Sequence, residues 1–224
     1  MDRVVLYTAM PSAVKSKRKY DATFRKEQAL VTRHRILEAA RRLLARGTYS
    51  SLTMADIADE AGVAYQTVYA TFGTKVRLAE ALVEAGFSHI PSAMQLFENM
   101  FESPDVDHWF RTASQATRLI LEPCADLVRF IRESGDPGLL AGYQKREQIR
   151  YDAIATNGVV DRLVESHSLK PHLSPPEAVA VIWALTGAEL YNQLVFGQGW
   201  SPARYEEWLA DALMAAVVKS PPNT

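Results

Sequence analysis

The chain has 224 residues, 48% of them hydrophobic and 23% charged, with a formal net charge of −1; this balance is typical of a soluble globular protein with a buried core. Cys124 is the one cysteine, which excludes an intramolecular disulfide. Because we also find no N-terminal apolar run long enough for a secretion signal, we expect a cytoplasmic protein. The longest candidate for a membrane span, residues 178–196, is interrupted by polar residues such as Glu189 and Asn192, so we expect no transmembrane helix.

Charge is unevenly distributed along the chain. Residues 1–80 carry 14 Lys and Arg and 8 Asp and Glu, whereas residues 81–224 carry 11 and 18. A basic head on an acidic body favours a model in which only the head meets a polyanion. A chance asymmetry of solvated surface charge would leave the same pattern.

The first 23 residues lack the periodicity of a helix. Four basic residues fall within five positions there: Lys15, Lys17, Arg18 and Lys19. We predict a disordered basic arm over residues 1–23, which can follow DNA phosphates or enter a minor groove. A solvated tail, or a start placed too early, explains the segment equally well.

Three helical patterns follow in the head, which we place at residues 24–74. Apolar residues with helical spacing run through residues 28–46. Thr53 and Asp56 resemble a capping box that begins a short second helix, and Gly62 then allows a sharp turn. A third helix spans residues 64–72.

Further helices fill residues 75–219, the body, before a short tail at 220–224. A helix that begins near Lys75 and runs towards Phe101 is expected to be kinked or split at Pro91. Proline and glycine breaks separate the remaining helical segments, near 105–121, 123–133, 137–166, 175–197 and 202–219. The expected fold class is therefore all-α, with an N-terminal three-helix helix-turn-helix head and a C-terminal multi-helix domain for regulation and dimerisation.

The second and third helices with their glycine turn form a helix-turn-helix unit. Spacing in the third helix turns Val68 and Phe72 inward. The residues predicted to face outward are Tyr65, Gln66, Tyr69 and Ala70, with Thr67 at the margin.

This outward face has two tyrosines and a glutamine but no charge, which suits a surface that reads the major groove. Gln66 can bond an adenine edge in a bidentate manner, and Tyr65 can contact a thymine methyl or donate to a phosphate. The hydroxyls of Thr67 and Tyr69 can donate to phosphates or bases.

Three residues outside the third helix are candidates for phosphate contacts. Lys75 stands at the start of the next helix, whose N-terminus also attracts phosphate. Thr53 can face a phosphate while it caps its own helix. Arg33 can touch the DNA backbone, although solvated charge explains this arginine as well.

Residues 32–80 contain three stretches that agree in order and spacing with one known family. They are residues 32–44 followed by Gly47, residues 53–63, and residues 67–72 followed by Lys75 and Leu78. These stretches resemble the first helix, the second helix with its turn, and the recognition helix of the TetR family of transcriptional regulators. The chain departs from the family pattern at Ala64, where Ser is common, and at Gln66, where Gly is common.

The resemblance implies a homodimer formed by the last two long helices, here about 175–197 and 202–219, which binds double-stranded DNA at a palindromic operator. It also implies a small-molecule effector inside the C-terminal domain that shifts the fourth helix and weakens DNA binding. No cofactor and no metal site is expected. Residues that fit either the dimer contact or the core of one chain are Val179, Ile182, Trp183, Leu190, Trp208, Leu209, Leu213 and Val217.

Aromatic residues of the body, with polar Glu189 and Asn192, can line such an effector pocket. Candidate ligand-binding residues are Phe97, Trp109, Phe110, Phe130, Trp183, Glu189 and Asn192. Aromatic stripes at helical spacing also fit a plain core, and Glu189 and Asn192 can bond across a dimer instead. The favoured function is a ligand-responsive repressor.

Two rival functions are an enzyme and an adaptor that kept the fold but lost DNA binding. The five histidines form no HExxH pair, and the chain contains neither a GxSxG motif nor a Walker-type phosphate loop, so we expect no catalytic residues. The uncharged outward face of the third helix, together with Lys75, disfavours the adaptor. Salt-dependent DNA binding distinguishes these functions.

Overall fold

The computed structural model of the chain describes residues 14–88, 95–97 and 99–219. Their regular structure is helical apart from one isolated antiparallel bridge between Leu169 and Val218, which confirms the all-α fold class. The elements used below are α1 (Val14–Arg46), α2 (Met54–Ala61), α3 (Tyr65–Phe72), α4 (Lys75–Gly86), a 3₁₀ turn (Met100–Glu102), α5 (Val106–Leu121), α6 (Ala125–Ser134), α7 (Pro137–Thr156), α8 (Val159–Glu165), α9 (Pro175–Leu185), α10 (Ala188–Tyr191), a π-helical segment (Asn192–Gly197) and α11 (Pro202–Val217).

The first helix is longer than the sequence predicts. A disordered arm was expected up to residue 23, and this is wrong for residues 14–23, which form the first turns of α1. The stretch is rich in Lys and Arg, which favour helix, and it extends a helix that is already nucleated. It needs no apolar stripe to be helical, so periodicity did not reveal it. The rest of the expected arm, residues 1–13, lies outside the described residues.

The head has its own small core, where α1 packs on α2 and α4, and α3 packs on both α2 and α4. Ile36 of α1, Ile57 of α2 and Val68 of α3 are fully buried there. Leu30 belongs to the apolar pattern of the first helix but is 66% exposed, because α1 extends beyond the helices that cover it.

The body is a bundle in which α5 packs along α11, and α7 packs on α6 and α9. The single helix expected over residues 137–166 is wrong: it is split into α7 and α8 at Gly158, whose φ of 83° is left-handed. The Asn157 side chain caps the new helix by accepting the Val159 N–H at 3.0 Å. The helix expected over 175–197 is likewise interrupted, after Leu185, and ends in the π-helical segment.

By length and composition alone, one helical stretch of the described chain, Pro175–Gly197, is apolar enough to cross a membrane, with a hydropathy of 1.3. Core helices of soluble proteins meet the same criterion. Here the Glu189 carboxylate accepts a hydrogen bond from the Tyr143 hydroxyl at 3.2 Å, and Asn192 donates to the Ala125 carbonyl at 2.9 Å. These contacts tie the stretch to α6 and α7, while only 33% of its apolar window is buried within the chain.

Helix α6 is the part of the body that meets the head. The Arg41 guanidinium of α1 lies 2.7 Å from the Asp126 carboxylate of α6. The ring of Tyr49, in the loop after α1, packs edge-on against Phe130 with the ring centres 5.1 Å apart. Two side chains of the head therefore rest on one short helix.

The last residue of α4 also packs tightly on α6. A Cβ atom added at Gly86 would lie 2.1 Å from Cδ1 of Leu127, so glycine lets the two helices approach this closely. Because α4 packs on α1 and α3, we count it here with the head, and we call the contacts of α6 with Arg41, Tyr49 and Gly86 the head–body seam.

Candidate functional site

The turn between α2 and α3 is fixed by local hydrogen bonds. The Thr53 hydroxyl accepts the Asp56 N–H at 3.1 Å, and the Asp56 carboxylate accepts the Thr53 N–H at 3.1 Å, a complete capping box. Gly62 closes α2 with a left-handed φ of 63°. The Arg35 guanidinium donates to the carbonyl oxygens of Ala61 and Gly62 at 2.6 and 2.9 Å. These bonds set the direction in which α3 leaves the turn.

Helix α3 has the two faces that its sequence predicts. Val68 and Phe72 are buried, whereas Gln66 and Ala70 are exposed. Tyr65 and Tyr69 are exposed by 47% and 55%, and their rings stack with centres 6.2 Å apart; Thr67 is half-buried at the margin. Two aromatic rings and an amide therefore stand together on an open surface, which can contact base edges and methyl groups.

Two arginines flank this surface at the end of α3. The Arg33 guanidinium lies over the Phe72 ring, 4.6 Å from its centre, and it lines a shallow concavity together with Tyr69 and Arg77. Two guanidinium groups beside an aromatic hydroxyl suit a phosphate. Arg77 was missed in the sequence, although its place in the first turn of α4, two residues after Lys75, pointed to it.

The other two predicted phosphate partners have partners within the protein. The Lys75 ammonium lies 4.3 Å from the centre of the Tyr49 ring, and partial burial lowers its pKa. The Thr53 hydroxyl donates to the Asp56 carboxylate at 2.6 Å. Lys75 thus links the start of α4 to the loop that touches the body, and Thr53 acts as a cap.

A cavity of about 150 Å³ lies inside the body, between α5, α7, α9 and α11. Two of the predicted ligand-binding residues, Phe97 and Phe110, line it. Sequence reasoning missed the others, because they come from helices distant in the chain. The lining residues that were not predicted are Met100, Ala113, Thr117, Ile120, Leu121, Arg150, Ala153, Ile154, Asn157, Val159, Ile182, Thr186 and Leu213.

Two further candidates, Trp183 and Glu189, line an open outer groove between α7 and α9. Arg150 lines both spaces. Its guanidinium donates to the Glu147 carboxylate at 2.6 Å and to the Thr186 hydroxyl at 2.9 Å. The cavity and the groove therefore share one lining residue, whose side chain is held in place by these bonds.

Three predicted ligand-binding residues are not placed at the described cavity. The Trp109 indole N–H donates to the Ser103 carbonyl at 2.6 Å, and its ring is buried in the core. Phe130 belongs to the head–body seam, and Asn192 is bonded to α6. Each was counted as a candidate for its residue type, and each is instead used for packing or for a bond between helices.

The residues predicted to lie either in the dimer contact or in the core of one chain fall into two groups. Val179, Ile182, Leu209, Leu213 and Val217 are buried within the single chain, so they are core residues. Those that keep part of their surface open are Trp183, Leu190 and Trp208.

The head matches a known protein family. The family model described as bacterial regulatory proteins of the tetR family matches residues 36–82, which cover the last third of α1, all of α2 and α3, and the first turns of α4. No curated protein sequence matches the chain significantly.

Many solved structures share the fold of the whole chain. NalD of Pseudomonas aeruginosa, the secondary repressor of the MexAB-OprM multidrug efflux pump, has a TM-score of 0.62 and 18% identity, covering 86% of this chain and 100% of its own. The fatty acid degradation regulator FadR of Bacillus halodurans has a TM-score of 0.63 and 16% identity, covering 82% and 94%. SmeT, in its complex with triclosan, has a TM-score of 0.59 and 19% identity, covering 87% and 95%.

Identities this low show a common fold, whereas the family model identifies the head itself. The head therefore matches the model of the tetR family of bacterial regulatory proteins, and the chain shares the fold of these solved structures over most of its length.

Proposed function

We propose that this protein is a cytoplasmic, homodimeric repressor that binds a palindromic DNA operator and releases it when a small molecule enters the body. The observation that carries the proposal is the outward face of α3, where Tyr65, Gln66 and Tyr69 form an exposed and uncharged surface beside Arg33 and Arg77. Uncharged groups that donate, accept and stack suit base edges, and the arginines suit the phosphates beside them.

The repressor role is supported by the family of the head and by the printed role of NalD, a repressor of the same fold. A dimer presents its two α3 helices to successive half-sites on one DNA face, hence the palindrome. The proposal for a small-molecule effector is supported by the cavity in the body and by the triclosan complex of SmeT.

The head–body seam supports the proposed coupling. Helix α6 contacts the head through Tyr49 and Arg41, and its Arg132 forms an ion pair with Glu189 at the outer groove. A ligand that binds one position of α6 more tightly than another would bias the orientation of the heads by that difference in affinity.

DNA binding is tested with a fluorescent fragment from upstream of the gene, at about 50 and about 200 mM salt. Tyr69→Ala is expected to weaken binding about tenfold or more, because it removes a contact to the groove. The control is Ile149→Ala, which removes an exposed apolar side chain of similar exposure, 59%, from α7 of the body. The proposal would be refuted if binding were weak and depended neither on the DNA sequence nor on Tyr69, and if a genome-wide selection then recovered no bound fragments.

The phosphate role is tested separately. Arg77→Gln is expected to weaken binding to all sequences alike and to lower the salt dependence by about one counterion. Lys145→Gln, which removes an exposed cation from the body, should leave both unchanged. A loss of sequence preference with an unaltered salt slope would assign Arg77 to a base instead.

The dimer is tested by sedimentation of two matched variants. Phe196 and Ile149 are exposed by 51% and 59%, and only Phe196 lies in the Pro175–Gly197 stretch. Phe196→Glu is expected to yield monomers and Ile149→Glu to remain dimeric, since a charge costs most inside an apolar contact. Monomers of the unaltered protein, or a dimer unaffected by Phe196→Glu, would contradict this interface.

A further inference from the structure

We infer that the effector is a small, uncharged and mainly apolar molecule, comparable in size to a single aromatic ring, bound in the cavity bordered by Arg150. The inference rests on the proposed function, which it deepens by naming the class of the effector. It comes from the composition of the cavity wall, from the bonds of the polar groups in that wall, and from its volume.

The wall is apolar over most of its area. Eleven of its fifteen described residues are aliphatic, aromatic or Met, with Phe110, Ile182 and Leu213 buried among them. An ion placed against such a wall loses its hydration without replacement, which is costly.

Three of the four polar side chains in the wall are already bonded to the protein. The hydroxyls of Thr117 and Thr186 each donate to a carbonyl of their own helix at 2.8 Å. The Asn157 side-chain oxygen accepts the Val159 N–H at 3.0 Å. These groups have their strongest partners in place, so they do not require a polar ligand.

Arg150 is the one charged residue of the described wall, and its charge is matched. Each of its three nitrogens donates to a protein acceptor: Nε and Nη2 to the Glu147 carboxylate, and Nη1 to the Trp183 carbonyl and the Thr186 hydroxyl. A carboxylate ligand would meet a guanidinium that is already paired with Glu147 and would lie close to that carboxylate, and a cationic ligand would meet the guanidinium itself. Neither sign of charge is favoured, and an uncharged molecule disturbs none of these bonds.

The volume sets the size of the ligand. A cavity of about 150 Å³ lined by aliphatic and aromatic side chains is of the size that accepts benzene in other protein cores. A larger effector would have to move Arg150 and extend into the outer groove.

The test measures binding of three ring compounds to the full-length protein in the absence of DNA: benzene, benzoate and benzylammonium. Benzyl alcohol, which is uncharged and has as many non-hydrogen atoms as benzylammonium, is the control for size. Titration calorimetry is expected to give a Kd for benzene at least tenfold lower than for either ion. Ala113→Leu, which fills the cavity, should weaken benzene binding at least tenfold. Ala184→Leu, the same exchange in the outer groove, should change it less than twofold.

Equal or tighter binding of an ion, no binding of benzene, or a larger effect of Ala184→Leu than of Ala113→Leu would each overturn the inference. The comparison of the three compounds uses the unaltered protein, so it stands even if the Ala113 variant fails to fold. Operator binding is measured on the same preparation: selective DNA binding without benzene binding refutes this inference alone, whereas benzene binding without selective DNA binding refutes the proposed function.

Discussion

Arg41 and Asp126, which are 85 residues apart in the chain, form a hydrogen-bonded ion pair between the head and the body. The guanidinium donates to both carboxylate oxygens, at 2.7 and 3.1 Å, and it also donates to the Pro123 carbonyl. Both side chains are about 30% exposed, so the pair is partly shielded from water. It thus fixes where the end of α5 and the start of α6 rest on α1.

Arg41→Gln is expected to lower the free energy of unfolding by about 1 to 2 kcal/mol, because a partly buried carboxylate loses a charged partner. The change is measured by urea unfolding. Arg42→Gln is the matched control: Arg42 pairs with Glu60 inside the head and is 47% exposed, so its loss should cost under about 0.5 kcal/mol. Equal losses in the two variants would show that the Arg41 pair gives no special support to the seam.

Gly86→Ala is expected to destabilise the protein by about 1 to 3 kcal/mol, because the new methyl group overpacks a closed contact. Its Cβ would lie 2.1 Å from the buried Leu127 side chain. Gly142→Ala is the control, since a Cβ at that exposed position of α7 would meet no described atom within 4 Å. There the higher helix propensity of Ala should add about 0.5 to 1 kcal/mol. Both variants are measured by thermal and urea unfolding. If Gly86→Ala left the stability unchanged, the contact between Gly86 and Leu127 would be looser than described here.

Ala64→Ser is expected to stabilise the head by about 0.5 to 1 kcal/mol, because it supplies the missing side-chain cap of α3. Ala64 already has the extended backbone of a helix cap, with φ −65° and ψ 143°. Ala70→Ser, an exposed change within α3, should give no gain. Unfolding of the two variants provides the comparison, and a gain no larger at residue 64 than at residue 70 would argue against capping.

Stability is expected to fall above about pH 9. Burial, and secondarily the Asp126 carboxylate, raises the pKa of the Cys124 thiol from 9.0 to about 12, and burial raises the pKa of Tyr191 from 10.0 to about 12. In the unfolded chain these groups lose protons at their ordinary pKa values, while the folded chain still holds them. The unfolded state then binds fewer protons, so the stabilisation present below pH 9 is lost as pH rises towards 12.

This pH dependence is measured as the free energy of unfolding at pH values from 7 to about 11. Cys124→Ala should remove the part of the decline that begins near pH 9 and leave the part that begins near pH 10. A decline of unchanged steepness in that variant would assign the effect to the tyrosines alone.

The geometry of the head follows from rules that act over a few residues, which is why the sequence predicts it well. The Thr53–Asp56 capping box and the left-handed Gly62 are both found as expected. The spacing of Val68 and Phe72 determines which side of α3 faces out. Within the fold of the head, the sequence analysis did not predict the full length of α1, because a helical segment without an apolar stripe has no hydrophobic periodicity.

The body depends on contacts between distant helices, and its sequence reveals less. Trp109 and Phe130 resemble pocket residues by type, but the pairing of helices gives one to the core and the other to the seam. Arg150, which borders the cavity, looks in the sequence like any solvated arginine of a helix. Its bonds to Trp183 and Thr186 form only once α7 and α9 are packed.

The head–body seam also limits how the head of this protein could be joined to the body of another protein of the same fold. A hybrid that joins the head of one regulator to the body of another at residue 74 would take Arg41 and Tyr49 from one parent and their partners on α6 from the other. Such a hybrid would lose the matched contacts that hold the head against α6. The transferable unit is therefore the head together with Gly86 and the facing residues of α6, although these lie far beyond the helix-turn-helix in the chain.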